Sequence, residues 1–326
     1  MTDARTSDPA RAFAPFDWAL LAAVAALWGA SFLFIDVGVD HLRPELVAFL
    51  RLAFGVATLA AIPAARRAVP RSAWTGIALL GVVWMAVPFT LFPIAQQWID
   101  SSLAGMLNAT APLFTAVIAA LLSRRAPGAL GRAGLLVGFL GVLVVTWPSL
   151  GGAHSTALGA GLVLGATLLY GFAFNLAEPL EERHGALPVI WRAEIVALVL
   201  TAPMGLASAP QSSFAWTSVA AIAALGCLGT AIAFVAFTML VGRVGSTRAS
   251  VTVYFLPPVA IALGAVARDE AISAGSLLGA GLVVAGAWLT SRSRDSGPHA
   301  RRPHALDPTC RVRIRMAQVF GLSRGG

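Results

Sequence analysis

Few residues of this chain could do chemistry, and most of them lie in apolar surroundings. Asn108, Pro112 and Thr115 are spaced i, i+4 and i+7, and Ser250, Tyr254 and Pro257 repeat that spacing late in the chain. On a helix each set shares one face. An amide, hydroxyls and the carbonyl that a proline frees make a polar stripe, which lipid would leave unsatisfied. Two such stripes can line one cavity for a small polar molecule. Trp28, Ser31 and Phe32 also share a face, and an interior Trp either packs helices or stacks on an aromatic or cationic cargo. Gly171, Asn175 and Glu178 form a further i, i+4, i+7 set.

The charges inside apolar runs are fewer still. Each costs about 2.5–3.5 kcal/mol or more at a helix centre, so each needs a reason. Arg51 either snorkels outward or pairs with Asp36, or it faces the interior and attracts an anionic group. Arg192 and Glu194 are two apart and point to different sides of their helix. Glu178 with Arg192 is expected as a structural pair. That leaves Glu194, ahead of Glu178, as the candidate for proton coupling. The demand there is a carboxyl that loses its proton toward one side of a membrane and regains it from the other.

Other chemistry is excluded by residue type. All 23 basic residues are Arg, so the P-loop lysine and a lysine Schiff base are both absent. Cys227 and Cys310 stand in unlike contexts and make neither a disulfide framework nor a metal knuckle. His41, His154, His184, His299 and His304 show no ligand spacing. No catalytic residue, metal or cofactor is expected. A membrane-embedded enzyme is an alternative without a cluster of acids or histidines to support it. A channel or receptor subunit is another, without a filter motif.

The elements that must position these residues follow from composition. Of 326 residues 58% are apolar and 12% charged, about half the ~25% of a soluble domain. A bilayer crossing needs about 20 mainly apolar residues, and charge-free runs of that length recur. The expected fold is all-α, with ten spans at approximately 17–37, 44–64, 73–95, 102–122, 129–147, 157–178, 187–206, 215–240, 247–267 and 272–291. The run 133–177 holds two of them, divided by a turn at Pro148–Gly152. Residues 1–16 form a polar segment without the pattern of a cleaved signal peptide. Residues 292–326 form a basic tail, expected to be disordered.

Arginine placement sets the orientation. With an even span count both termini share a side. One set of loops holds Arg66, Arg67, Arg71, Arg124, Arg125, Arg132, Arg183, Arg243 and Arg248; the opposite set holds only Arg43 and Arg268. The first set, with both termini, is expected in the cytoplasm. The net charge of +8 is therefore a topology signal and no nucleic-acid footprint. A bacterial inner or plasma membrane is the expected location. The expected partners are the lipid bilayer, a small-molecule substrate and protons, with monomer and homodimer both open.

A repeat runs through the chain. Ser101, Ala104, Pro112, Gly134 and Gly141 recur as Ser246, Ala249, Pro257, Gly279 and Gly286, always 145 positions on. Trp28-Gly29 and Phe32 are echoed by Tyr170-Gly171 and Phe174. A unit of five spans repeated once must sit inverted, because five is odd. At these residues the chain resembles the EamA-type ten-helix branch of the drug/metabolite transporter superfamily, over residues 17–291. That family opens each half with an aromatic–Gly pair, here Trp28-Gly29 and Tyr170-Gly171. It carries a proline in the fourth helix of each half, here Pro112 and Pro257. A Gly-Glu turn usually follows that helix. Here Arg268-Asp269-Glu270 keeps the Glu, and Ser123-Arg124-Arg125 departs further. The resemblance implies two inverted five-helix repeats, 17–147 and 157–291, rocking in alternating access about a midplane site. It also implies secondary transport, often export of amino acids, related metabolites or drugs.

Overall fold

The computed structural model describes residues 14–124, 126–151, 154–244 and 249–292. Most of the N-terminal segment and the basic tail lie outside the described residues. The described residues form ten helical spans and no strand. Span 1 is Pro15–Val39, span 2 Pro44–Ala60, span 3 Arg71–Ala95, span 4 Ser101–Ser123 and span 5 Ala129–Gly151. Span 6 is His154–His184, span 7 Ala186–Ser208, span 8 Trp216–Val244, span 9 Ser250–Arg268 and span 10 Ala274–Arg292. Eight are long and apolar enough to cross a bilayer, and span 10 supplies a shorter apolar helix, Ala274–Thr290. Span 2 is the one that carries Glu45 and Arg51.

The two halves are related by a local two-fold axis, visible in their glycine contacts. Gly134 lies against Thr290, Gly138 against Gly286, Gly141 against Val283 and Val145 against Gly279. Partner numbers fall as the first numbers rise, so spans 5 and 10 run antiparallel. Exchanging the halves at the 145-residue offset turns each pair into another of the four. Glycine is required for so close an approach: a Cβ on Gly134 would lie 2.6 Å from the Thr290 backbone nitrogen. The aromatic–Gly pairs obey the same exchange. Gly29 packs on Val259 of span 9, and Gly171 on Phe114 and Thr115 of span 4. A Cβ at Gly81 would lie 2.6 Å from the Ala193 carbonyl oxygen, and one at Gly226 2.6 Å from that of Arg51.

Irregular backbone falls at matched places. Spans 3 and 8 each contain a π turn, Gly81–Ala86 and Leu225–Ile232. Span 4 divides into Ser101–Asn108 and Ala111–Ser123. Span 9 divides into a 3₁₀ segment, Ser250–Phe255, and an α segment, Leu256–Arg268. Pro112 and Pro257 each stand in the first turn of the second piece, where a missing N–H leaves no bond unmade. Pro88 does the same after the π turn of span 3, and Pro93 lies inside a helix.

Several boundaries differ from the sequence expectation, three of them at prolines. Helix continues through the Pro148 region to Gly151, so the expected turn is shorter. Span 6 runs past Pro179 to His184. The bond lost at that proline is offset by packing, since Leu180 is 1% exposed and sits on Gly76 of span 3. Span 2 stops at Ala60; Pro63 disfavours helix in the residue before it.

Asp17 and Arg243 pair at one end of the bundle, where spans 1 and 8 meet. The arginine asymmetry leads to the expectation that this end is cytoplasmic. Reporter fusions placed at His154 and at the C-terminus are expected to read outside and inside, respectively. A His154 fusion reading cytoplasmic would overturn the orientation.

Candidate functional site

Two charged side chains lie buried among apolar helices near the middle of the bundle. Arg51 is 8% exposed on span 2 and Glu194 is 0% exposed on span 7. Spans 2 and 7 are counterparts in the two halves and pack against each other. Gly55, one turn beyond Arg51, makes room for the carboxyl group: a Cβ there would stand 3.2 Å from Glu194 Oε2. Neither Glu194 oxygen has a hydrogen-bond partner among the described residues. Arg51 and Glu194 feel each other's charge but do not touch as an ion pair.

Arg51 is held from two sides. Its Nε donates to Thr230 Oγ1 at 3.1 Å. Its guanidinium carbon lies 3.5 Å from the centroid of the Phe89 ring. Both partners depend on the π turns. Thr230 lies in the π turn of span 8 and donates its own hydroxyl to Leu225, five residues back. Phe89 lies just beyond the π turn of span 3. A guanidinium carries five N–H donors, and only Nε is hydrogen-bonded among the described residues.

Beside Arg51 runs a chain of rings. Trp28 meets Phe234 at 5.9 Å, Phe234 meets Trp84 at 5.3 Å, and Trp84 meets Phe174 at 5.6 Å. Phe174 stacks on Tyr170 at 5.8 Å, Tyr170 on Phe92 at 6.0 Å, and Phe92 meets Phe32 at 5.7 Å. Phe32 stands four residues beyond Trp28 on the same face of span 1. Spans 1, 3, 6 and 8 all contribute. These separations suit edge-to-face and offset ring packing. Trp28 and Tyr170 are half-buried, and Phe174 is 37% exposed. Tyr170 also lies within the field of Arg51.

The structure thus brings Arg51, Tyr170 and Glu194 together, with Trp28 linked to Tyr170 through Phe234, Trp84 and Phe174. Ser31 is beside them, packed on Gly229 of span 8, with its hydroxyl donating to Leu27. The second polar group is a separate cluster. Asn175 donates to the carbonyls of Thr115 and Gly171, which joins span 6 to the broken span 4. The Thr115 hydroxyl donates to Ala111, one turn back. Asn108 is buried, just before the break that precedes Pro112. Tyr254 Oη donates to the Ala287 carbonyl of span 10, and its ring packs toward Ala109, Leu113 and Val283. Tyr254 therefore points toward spans 4 and 10, and Pro257 is buried in the first turn after the break in span 9.

Two expected pairings are corrected. Asp36 pairs with Arg268, so Arg51 has turned inward to Thr230 and Phe89. Arg192 donates to the carbonyls of Ala65 and Pro188, while Glu178 is exposed. Backbone acceptors at the end of span 2 lie within its reach, and no ion pair with Glu178 forms among the described residues. The sequence reading also missed Trp84, Phe89, Thr230 and Phe234. Trp84 carried a signal, being a Trp in mid-span where interfacial anchoring does not account for it. At the opposite end from Asp17, burial raises the Asp100 carboxyl above its ordinary value, and nearby Glu270 acts in the same direction.

Comparison with known proteins gives a consistent result. The model of the EamA-like transporter family matches residues 17–147 and 157–292. A protein of Streptantibioticus cattleyicolor named a probable terminal-alkyne amino-acid exporter is 29% identical, over 84% of this chain and 93% of its own. A Salmonella typhimurium protein named a probable amino-acid metabolite efflux pump is 27% identical, over 82% of this chain and 91% of its own. An uncharacterized transporter of Archaeoglobus fulgidus is 22% identical, over 85% of this chain and 99% of its own. A crystal structure shares the fold with a TM-score of 0.61 at 19% identity, covering 86% of this chain and 98% of that one.

Proposed function

Because this chain belongs to the EamA-like transporter family, we propose that it is a secondary transporter that exports small organic metabolites or drugs by alternating access. The observation that carries the reading is the buried pair Arg51 and Glu194, with Tyr170 of the ring series in the field of Arg51. Two charges withdrawn from water and not in contact are a poor way to stabilise a fold. In a membrane span such groups mark substrate or ion pathways. The unengaged donors of Arg51 suit a carboxylate, since a guanidinium presents them as a planar fork. The rings of Trp28, Tyr170 and Phe174 suit an apolar or aromatic body attached to it. An amino acid or related metabolite has both parts, and the names of the two exporter relatives agree with that class.

The two repeats, 17–147 and 157–291, are the bodies that rock, and the matched breaks before Pro112 and Pro257 are their flexible points. Glu194 exchanges the driving proton. Both termini lie in the cytoplasm of a bacterial cell. Inside-out membrane vesicles test the whole reading. With a panel of labelled amino acids, vesicles bearing the protein are expected to accumulate at least one of them under a proton gradient, and to lose it when the gradient is collapsed. Accumulation of none of them above protein-free vesicles would overturn the proposed cargo class.

A further inference from the structure

The turn after span 9 holds two residues that reach in opposite directions. Arg268 donates Nη2 to Asp40 Oδ1 at 2.8 Å and Nη1 to Asp40 Oδ2 at 3.0 Å, and its Nε pairs with Asp36. Asp36 and Asp40 stand at the end of span 1. Glu270 accepts the backbone N–H groups of Ser101 and Ser102, each at 2.9 Å, and the Ser101 hydroxyl at 2.6 Å. Those are the first residues of span 4. Between them Asp269 takes the left-handed conformation, φ 53°, which an aspartate tolerates better than most residues. One turn thereby ties together the ends of spans 1, 4 and 9. Directly beneath it the first piece of span 4 packs along the second piece of span 9, with Gly105 against Ala260 and Phe32.

The two-fold relation supplies a control at the opposite end. Arg268, Asp269 and Glu270 correspond to Ser123, Arg124 and Arg125 at the 145-residue offset. Asp36 and Asp40 correspond to Glu178 and Glu182 at the 142-residue offset that relates Trp28 to Tyr170. Arg124 takes the same left-handed turn, φ 52°. The Ser123 hydroxyl folds back on Ala120. Glu178 and Glu182 are exposed and pair with no arginine among the described residues. An arginine at 125 has no acceptor with which to cap a helix start.

We propose that Arg268 and Glu270 latch an outer gate formed by spans 1, 4 and 9, while the opposite end, with Ser123 in the place of Arg268, has no equivalent arginine tie. The latch rests on the transporter reading for its purpose, and on the geometry alone for its existence. A bidentate arginine in a network is the kind of surface pair that contributes measurably. Releasing it is the step that opens the outer side.

The test uses full-length protein in nanodiscs, with Cys227 and Cys310 replaced by Ser and spin labels at Arg43→Cys and Ala271→Cys. Electron–electron distances are expected to show one short population. Arg268→Gln is expected to raise a longer-distance population about five-fold, as loss of about 1 kcal/mol would do. The variant Asp36→Asn with Asp40→Asn, which leaves the Arg268 side chain in place, is expected to match it, and combining them adds nothing further. Glu270→Gln is expected to shift the same way, and Arg268→Lys less. Distances unchanged in Arg268→Gln and in the double Asn variant would overturn the latch, whatever the cargo assays show. Shifted distances in a protein that moves no cargo would keep the latch and sink the transport assignment instead.

Discussion

Glu194→Gln is expected to reduce proton-driven accumulation to background while leaving exchange and downhill flux. Glutamine keeps the shape of the protonated side chain and removes its ability to carry a proton. The structure makes this substitution mild for the fold, because neither Glu194 oxygen holds another described residue in place and Gly55 leaves space beside them. A structural acid of a hydrogen-bonded network would instead lose stability on replacement, by about 1–3 kcal/mol for each group left unsatisfied. The measurement is accumulation in inside-out vesicles, with and without a proton gradient, alongside counterflow in the same preparation. Accumulation at the parent rate would make Glu194 structural. The coupling would then lie with Glu178, with another ion, or nowhere, the protein being a facilitator.

Arg51→Met is expected to lower kcat/KM for an anionic or zwitterionic cargo by about 100-fold, the scale of removing a buried charge from a recognition pair. Methionine preserves much of the stem and its packing on Phe89. Arg51→Lys is not expected to restore function: an ammonium offers neither the planar face that lies on Phe89 nor an Nε that bonds Thr230 while other donors stay free. Loss of Arg51 also leaves Glu194 without its nearby opposite charge, a cost that could pass for lost recognition. The double variant Arg51→Met with Glu194→Gln separates the two. It is expected to recover thermal stability and not downhill flux of a carboxylate cargo. Parent-level downhill flux in that variant would remove Arg51 from cargo recognition.

The outline of this protein was legible in its amino acids. Charge-free runs such as Ser72–Ile99 and Ser101–Ser123 mark membrane spans because a bilayer penalises polar groups wherever they lie along the helix. That constraint is local, so composition along the chain states it directly. The 145-residue offset between Pro112 and Pro257, and between Gly134 and Gly279, revealed the two halves. Proline and glycine are constrained by backbone geometry, which both halves share.

Which side chains meet was decided by the tertiary structure. Arg51 had two readings in the sequence, and Asp36 was a plausible partner until Arg268, more than 200 positions away, was found holding it. Trp84 and Phe234 joined the chain of rings unforeseen. Spans surrounded by lipid are apolar all round, so no amphipathic stripe announces which face is inward. The π turns at Gly81–Ala86 and Leu225–Ile232 add a further break: one extra residue shifts the helical phase by about 100°. Counting by 3.6 across them misplaces everything beyond, including Phe89. The latch at Arg268 and Glu270 was equally hidden. The departure from a Gly-Glu turn at Arg268-Asp269-Glu270 was visible in the sequence, but its meaning required the turn in place, tied to spans 1 and 4.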